Sequence, residues 1–213
     1  MRVLNLYSCV GGNRYLWDNC EVTAVELDEE LASLYQERFP NDTVIVADAH
    51  QYLLDHYQEF DFIWSSPPCP THSRARYWGF GANGKKPIYP DLKLYEEIIF
   101  LKTHFKGKYC VENVIPYYEP LIPAIKRDRH FYWTNFNLPN VLTERKLGVG
   151  VCQGTDEVKR LSEFHKFDFT KYKGKQRVDK IARNLVDFET AKTIFDVARE
   201  TYKIKNTNQV SLF

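Results

Sequence analysis

The chain has 213 residues, 44% hydrophobic and 27% charged, with a formal net charge of +1. That composition suits one soluble domain with a small appendage, and no apolar run approaches the length that crosses a bilayer. The charge is uneven: residues 1–125 carry 11 Lys and Arg against 17 Asp and Glu, and residues 126–213 carry 18 against 11, so a basic second part is available for phosphates or forms a solvated face.

Taken in chain order, short apolar runs alternate with amphipathic stretches. Arg2–Tyr7 reads as a strand, and the pair Gly11 and Gly12 then opens a helix over Gly12–Asn19. Glycines there let a ligand approach the backbone, or simply make a tight turn. A second strand, Val22–Glu26, ends on an acid able to bond both hydroxyls of a ribose, and the helix Asp28–Arg38 follows. Thr43–Ala47 is a third strand. Asp48 stands after it, placed to meet an adenine amino group or to cap the next helix, Gln51–His56.

The fourth strand, Phe60–Ser65, runs into SSPPCPTHS. Prolines fix φ and cannot extend a ladder, so Cys69 is expected on a stiff loop at the sheet's edge. After a helix over Asp91–Phe105, the strand Lys108–Glu112 gives KYCVENV, where Glu112 and Asn113 interrupt an apolar run. An acid there loses solvation and is expected to carry a proton at neutral pH. HFYWTNF is an aromatic strand. Residues 137–180 are polar, basic and glycine-dotted and read as a small irregular lobe. Leu185–Tyr202 reads as one amphipathic helix, and KNTNQVSLF as a flexible tail. Strand–helix alternation implies parallel strands, right-handed crossovers and ligands at the strands' carboxyl ends.

Cysteine and glutamate suit pyrimidine activation. Carbon 5 of cytosine is too weak a nucleophile to attack a sulfonium methyl. A thiolate added at carbon 6 makes it nucleophilic, and an acid at ring nitrogen 3 stabilises the adduct. With YSCVGG, SSPPCP and VENV in this order, the chain resembles the cytosine-5 DNA methyltransferase family over about residues 1–135 plus a C-terminal piece. The resemblance implies an α/β, Rossmann-like fold with a mostly parallel, doubly wound sheet and S-adenosylmethionine (SAM) as cofactor. Residues 1–136 and 181–205 would form the catalytic domain, 137–180 a basic DNA-contacting lobe and 206–213 the tail.

By position, the resemblance places Tyr7 near the adenine and Gly11 and Gly12 beside the methionine moiety. Glu26 would hold the ribose and Asp48 the adenine, with Ser8, Cys9, Leu27, Ala49, Pro68 and Asn184 completing the cofactor site. Cys69 matches the nucleophile and Glu112 the acid. Arg127 and Arg129 match paired arginines, of which Arg129 would orient the base through O2. Ser73, Arg74 and Arg76 would meet DNA from the catalytic loop, with Tyr77 and Trp78 of a size to fill the space of a flipped base. Lys173, Lys175 and Arg177 would hold phosphates.

Three departures stand out. Pro70 replaces the family's glutamine, the family's ninth motif is absent, and only about 45 residues separate the aromatic strand from the final helix. The last implies a short or weak target sequence. QVSLF resembles the peptide by which bacterial replication proteins bind the sliding clamp, with Gln209, Leu212 and Phe213 as anchors. Together these features fit a compact, monomeric, phage-type member. Methylation of RNA or a free nucleotide, and a catalytically silent DNA- or clamp-binding relative, remain open. The N-terminal MRVLNLYSCVGG lacks a signal peptide's apolar core, and five scattered cysteines argue for a reducing cytoplasm. Cys69 and His72 form the one C-x-x-H pair, so no metal site is expected.

Overall fold

A computed structural model describes residues 1–74, 88–145 and 155–203. Arg76, Tyr77, Trp78, Gln209, Leu212 and Phe213, assigned above to nucleic acid and clamp, lie outside the described residues.

Seven strands form one open sheet: β1 (Arg2–Leu6), β2 (Glu21–Glu26), β3 (Thr43–Val46), β4 (Phe62–Ser65), β5 (Lys108–Val114), β6 (Ile125–Arg127) and β7 (His130–Thr134), in the order β3-β2-β1-β4-β5-β7-β6. The strands from β3 to β5 pair in parallel, whereas β7 runs antiparallel to both β5 and β6. The helices are α1 (Glu29–Arg38), α2 (Ala49–His56), α3 (Lys93–His104), α4 (Thr155–His165), α5 (Val178–Asn184) and α6 (Phe188–Ala198). This is the doubly wound sheet expected from the alternation and the Rossmann-like fold that the resemblance implies. Among the described residues no helix is long and apolar enough to cross a membrane.

The two faces of the sheet are read off the strand period of two. Leu4, Leu6 and Ile63 bury one face beneath Leu53 of α2 and Leu94, Ile98 and Leu101 of α3. Val3, Phe62 and Trp64 point the other way, onto Ala191, Ile194 and Phe195 of α6. Asp28 and Asp48 cap α1 and α2, their carboxylates accepting first-turn N–H groups.

Three elements differ from the sequence expectation, each for a tertiary reason. The helix expected over Gly12–Asn19 is only a 3-10 turn at Asn13–Leu16. Its layer is filled by α6. Trp17 stacks on Phe195 at 5.0 Å, and its Nε1 donates to the Ala191 carbonyl. The helix expected over Leu185–Tyr202 is broken at Asp187, which caps α6 by accepting from the Thr190 N–H at 2.9 Å. Apolar spacing runs through the break because Ile181 and Leu185 pack with Val10 and Leu31, whereas Ala191 and Phe195 pack with Trp17 and Phe62.

The stretch expected to be irregular contains α4. Leu161, Phe169 and Tyr172 pack there against Val10, Leu31 and Leu34, over the first crossover. Arg38 fastens this layer, donating to the Val10 carbonyl at 2.9 Å and the His165 carbonyl at 3.0 Å.

His165 at the end of α4 is 2% exposed. Burial first, then the charges of Arg145 and Arg38, hold its pKa down to about 4 against an ordinary 6.5. The folded ring is therefore neutral, and as pH falls the unfolded chain takes up the proton first. The stability held by the neutral ring is full above pH 6.5 and is lost between 6.5 and about 4, by roughly 3 kcal/mol. In His165→Phe the urea midpoints at pH 7.5 and 4.5 are expected to lie closer together than in the parent. An equal acid loss in both chains contradicts this account.

Candidate active site

One cavity of about 960 Å³ opens at the carboxyl ends of β1, β2, β4 and β5. That is room for a nucleoside-sized ligand and a pyrimidine together. At one end lie Tyr7, Ser8, Cys9, Glu26, Leu27, Asp48 and Ala49. At the other lie Pro68, Cys69, Glu112 and Arg129, with Asn184 of α5 and the neighbouring Lys180 closing a side.

The turn after β1 is held by its own backbone. Tyr7 and Cys9 adopt left-handed φ of 56° and 48°, and the Gly11 N–H donates to the Ser8 carbonyl at 2.8 Å. The Glu26 carboxylate braces this turn, accepting from the N–H groups of Cys9 (2.8 Å), Leu27 (2.9 Å) and Asp28 (3.0 Å). Burial raises the Glu26 pKa even though those three donors favour the charged form. The Ser8 hydroxyl is buried with no hydrogen-bond partner among the described residues, and a buried polar group of this kind calls for a ligand or water.

Gly12 lines the cavity, and both glycines carry a packing constraint that the sequence did not announce. A Cβ on Gly12 would sit 2.4 Å from Leu185 Cγ and 2.6 Å from the Val186 carbonyl oxygen, so the close neighbour is the chain itself. Gly11, at φ +71, faces the rings of Phe39 and Tyr35 and does not line the cavity; its placement beside a ligand is corrected. Asp48 lines the cavity and also caps α2, so its two readings are compatible.

At the chemical end, β4 and β5 run side by side, pairing Ser65 with Val111. Asn113 Nδ2 donates to the Pro67 carbonyl at 2.9 Å, tying the proline loop to the end of β5. The Cys69 carbonyl accepts from the N–H groups of His72 and Ser73, both at 3.0 Å, so the thiol opens a tight turn. Cys69 and Glu112 thereby face the same space. Burial first, and the Glu112 charge second, push the Cys69 thiol up to about 11. Glu112 is buried, with His130 Nε2 3.4 Å from its Oε1.

Arg129 sits on the two-residue turn between β6 and β7, where Asp128 takes φ +46. It is exposed at the cavity and makes no ion pair among the described residues. Its neighbour Arg127 is otherwise engaged. The guanidinium donates to the carbonyls of Pro139 (2.6 Å) and Leu138 (3.0 Å), fastening the chain after β7. Arg127 does not line the cavity, which corrects its assignment as a catalytic partner.

Ser73 forms an antiparallel bridge with Pro116, and Arg74 Nε donates to the Pro116 carbonyl. Lys173, Lys175 and Arg177 are exposed and do not themselves line the cavity, although Gln176 among them does, and Arg177 pairs with Asp179 at 2.8 Å. No group of three metal-ligating side chains is assembled among the described residues. His130 and the bracing role of Asn113 were not expected from the sequence, and Lys180, one of the basic residues of the second part, lines the cavity. Only Asn113 carried a local signal, as a polar residue inside an apolar strand.

Residues 1–114 match the C-5 cytosine-specific DNA methylase family. Among solved structures, a mutant of DNMT2 from Spodoptera frugiperda is 25% identical, over 53% of this chain and 35% of that one, with a TM-score of 0.38. A putative DNA modification methyltransferase encoded within an E. coli prophage is 19% identical, over 56% of this chain and 33% of that one, with a TM-score of 0.39. The alignments thus span about a third of each of those proteins. No curated protein sequence matches the chain significantly.

Proposed function

Because the chain belongs to the C-5 cytosine-specific DNA methylase family, we propose that it transfers a methyl group from SAM to carbon 5 of cytosine in DNA through a covalent bond to Cys69. The observation that carries this reading is the convergence of Cys69 and Glu112 on one cavity with Glu26 and the unsatisfied Ser8 hydroxyl. The residues fit the cofactor. Ser8 offers a hydroxyl in want of a polar partner, Glu26 an acceptor for ribose hydroxyls, Asp48 an acceptor for an exocyclic amine, and Tyr7 and Leu27 apolar surface. When bound there, SAM supplies an electrophilic methyl group.

The chain's own residues do the rest. The Cys69 thiol gives its proton to Glu112 as its sulfur bonds to carbon 6, and the electron pair of the 5,6 double bond becomes available at carbon 5. Glu112 in its acid form holds a proton against nitrogen 3, which takes the charge the ring gains. Arg129 orients the base through O2. After carbon 5 has taken the methyl, its proton leaves to solvent. That C–H pair re-forms the double bond, the sulfur–carbon bond breaks, and the thiolate returns. The target ring must be out of the stack for sulfur to reach it, and Lys173 and Lys175, both exposed, would hold phosphates during that step.

The short stretch between β7 and α5 supports a brief target sequence. From the sequence alone we also propose that Gln209–Phe213 dock on a sliding clamp; a clamp pull-down indifferent to their removal ends that idea.

The test is transfer of labelled methyl from SAM to DNA, RNA or dCMP, followed by base-resolution mapping of 5-methylcytosine. Label on DNA cytosine is the expected result. Label on RNA or dCMP alone would replace the substrate, and no label on any of them would favour a silent binding protein.

A further inference from the structure

Beneath the cavity lies a carboxylate on which both of its ends rest. Glu97 of α3 is fully buried. Its Oε1 accepts from the Tyr7 hydroxyl at 2.6 Å and lies 3.1 Å from His50 Nδ1, and its Oε2 accepts from the Ser65 hydroxyl at 2.6 Å. The three partners come from three segments. Tyr7 is the turn after β1, His50 follows Asp48 and Ala49 in the first turn of α2, and Ser65 is the last residue of β4, four residues before Cys69.

A carboxyl in the core is tolerated only when its polar atoms are bonded, and a leucine on this face of α3 would pack without that demand. The arrangement instead spends both oxygens on the segments that carry the proposed cofactor wall and the proposed nucleophile. Tyr7 is held in a left-handed conformation that is uncommon for an aromatic residue, with its hydroxyl pinned below and its side chain lining the cavity.

We infer that Glu97 is a positioning residue that sets the cofactor wall and the catalytic loop in one register, through Tyr7 and His50 on one side and Ser65 on the other. This rests on the reading that the cavity takes SAM beside Cys69. The bond to Glu97 favours the charged form of His50, with Glu96 acting in the same direction and Lys93 against it, so the imidazole reinforces the clamp.

The two sides of the clamp can be cut separately. Tyr7→Phe keeps the ring and removes one hydrogen bond; Ser65→Ala removes the other. The readouts are the SAM dissociation constant without DNA, the rate of covalent capture of a 5-fluorocytosine oligonucleotide at saturating SAM, and the thermal midpoint. Tyr7→Phe is expected to weaken SAM binding about 3–10-fold, far more than it slows capture. Ser65→Ala is expected to slow capture by a similar factor, far more than it weakens SAM binding. Glu97→Gln should do both, and adding Tyr7→Phe to it should cost no further SAM affinity.

If the two single variants move both readouts together, or shift only the thermal midpoint, Glu97 is scaffold and the inference is overturned. Should Glu97→Gln not fold, the single variants decide. Failure of the parent chain to bind SAM would remove the proposed function itself, and the inference with it.

Discussion

Replacing Cys69 with serine is expected to abolish covalent capture of 5-fluorocytosine DNA and to lower methyl transfer by roughly 10⁴-fold or more. Fluorine at carbon 5 cannot leave as a proton does, so an adduct formed by the parent chain persists and runs as a slower band on a denaturing gel. A serine hydroxyl keeps the size of the side chain but is a far poorer nucleophile in the absence of an adjacent base. SAM affinity should stay close to that of the parent, which separates a lost nucleophile from a lost fold. Capture that survives in Cys69→Ser would place the nucleophile elsewhere.

The resting state of that sulfur makes the prediction sharper. Its thiol, pushed up to about 11 by burial and by the Glu112 charge, is ionised at pH 7 only to about one part in 10⁴. Iodoacetamide should therefore modify Cys69 slowly at neutral pH and faster as the pH rises toward 11. The other described cysteines are no better. Cys9 is pushed up to about 12, Cys110 well above the ordinary thiol value, and Cys20 upward, each chiefly by burial. The thiolate is thus to be made in the loaded cavity.

Much of this site was legible because unusual residues fall at strand ends. The Pro-Pro-Cys loop after β4 and the Glu-Asn pair ending β5 violate the apolar pattern of buried parallel strands, and a parallel sheet gathers such ends at one edge. What was not legible depends on contacts distant in the chain. The use of α6 in place of a first crossover helix follows from Trp17 meeting Phe195, 178 positions away by numbering. The constraint on Gly12 comes from Leu185, and Arg127 is spent on carbonyls that no local pattern announces.

Glu97 is an intermediate case. Leu94, Glu97, Ile98 and Leu101 share one helical face by their i, i+3, i+4 and i+7 spacing, so an acid was visibly standing among core positions. Its neighbour Glu96 lies exposed on the next face, where an acid needs no partner.

Glu112→Gln is expected to separate the two duties of that carboxyl. An amide is nearly the same size but cannot hand a proton to nitrogen 3, so methyl transfer should fall roughly 10²–10⁴-fold. The same change removes the negative charge that helps keep the Cys69 thiol protonated. Alkylation of Cys69 at pH 7 should then become faster than in the parent, although burial, the larger cause, still holds the thiol above its ordinary value. A variant that is more reactive toward iodoacetamide yet nearly inert toward DNA would show why the two groups are paired. In the proposed reaction, bringing in the target would let the proton pass from sulfur to Glu112, creating the thiolate and the acid in one exchange and removing the repulsion between them. If Glu112→Gln lowers both reactivities together, the acid only shapes the cavity. If methyl transfer is unchanged, nitrogen 3 draws its proton from another group, and His130, 3.4 Å from Glu112, is the next side chain to replace.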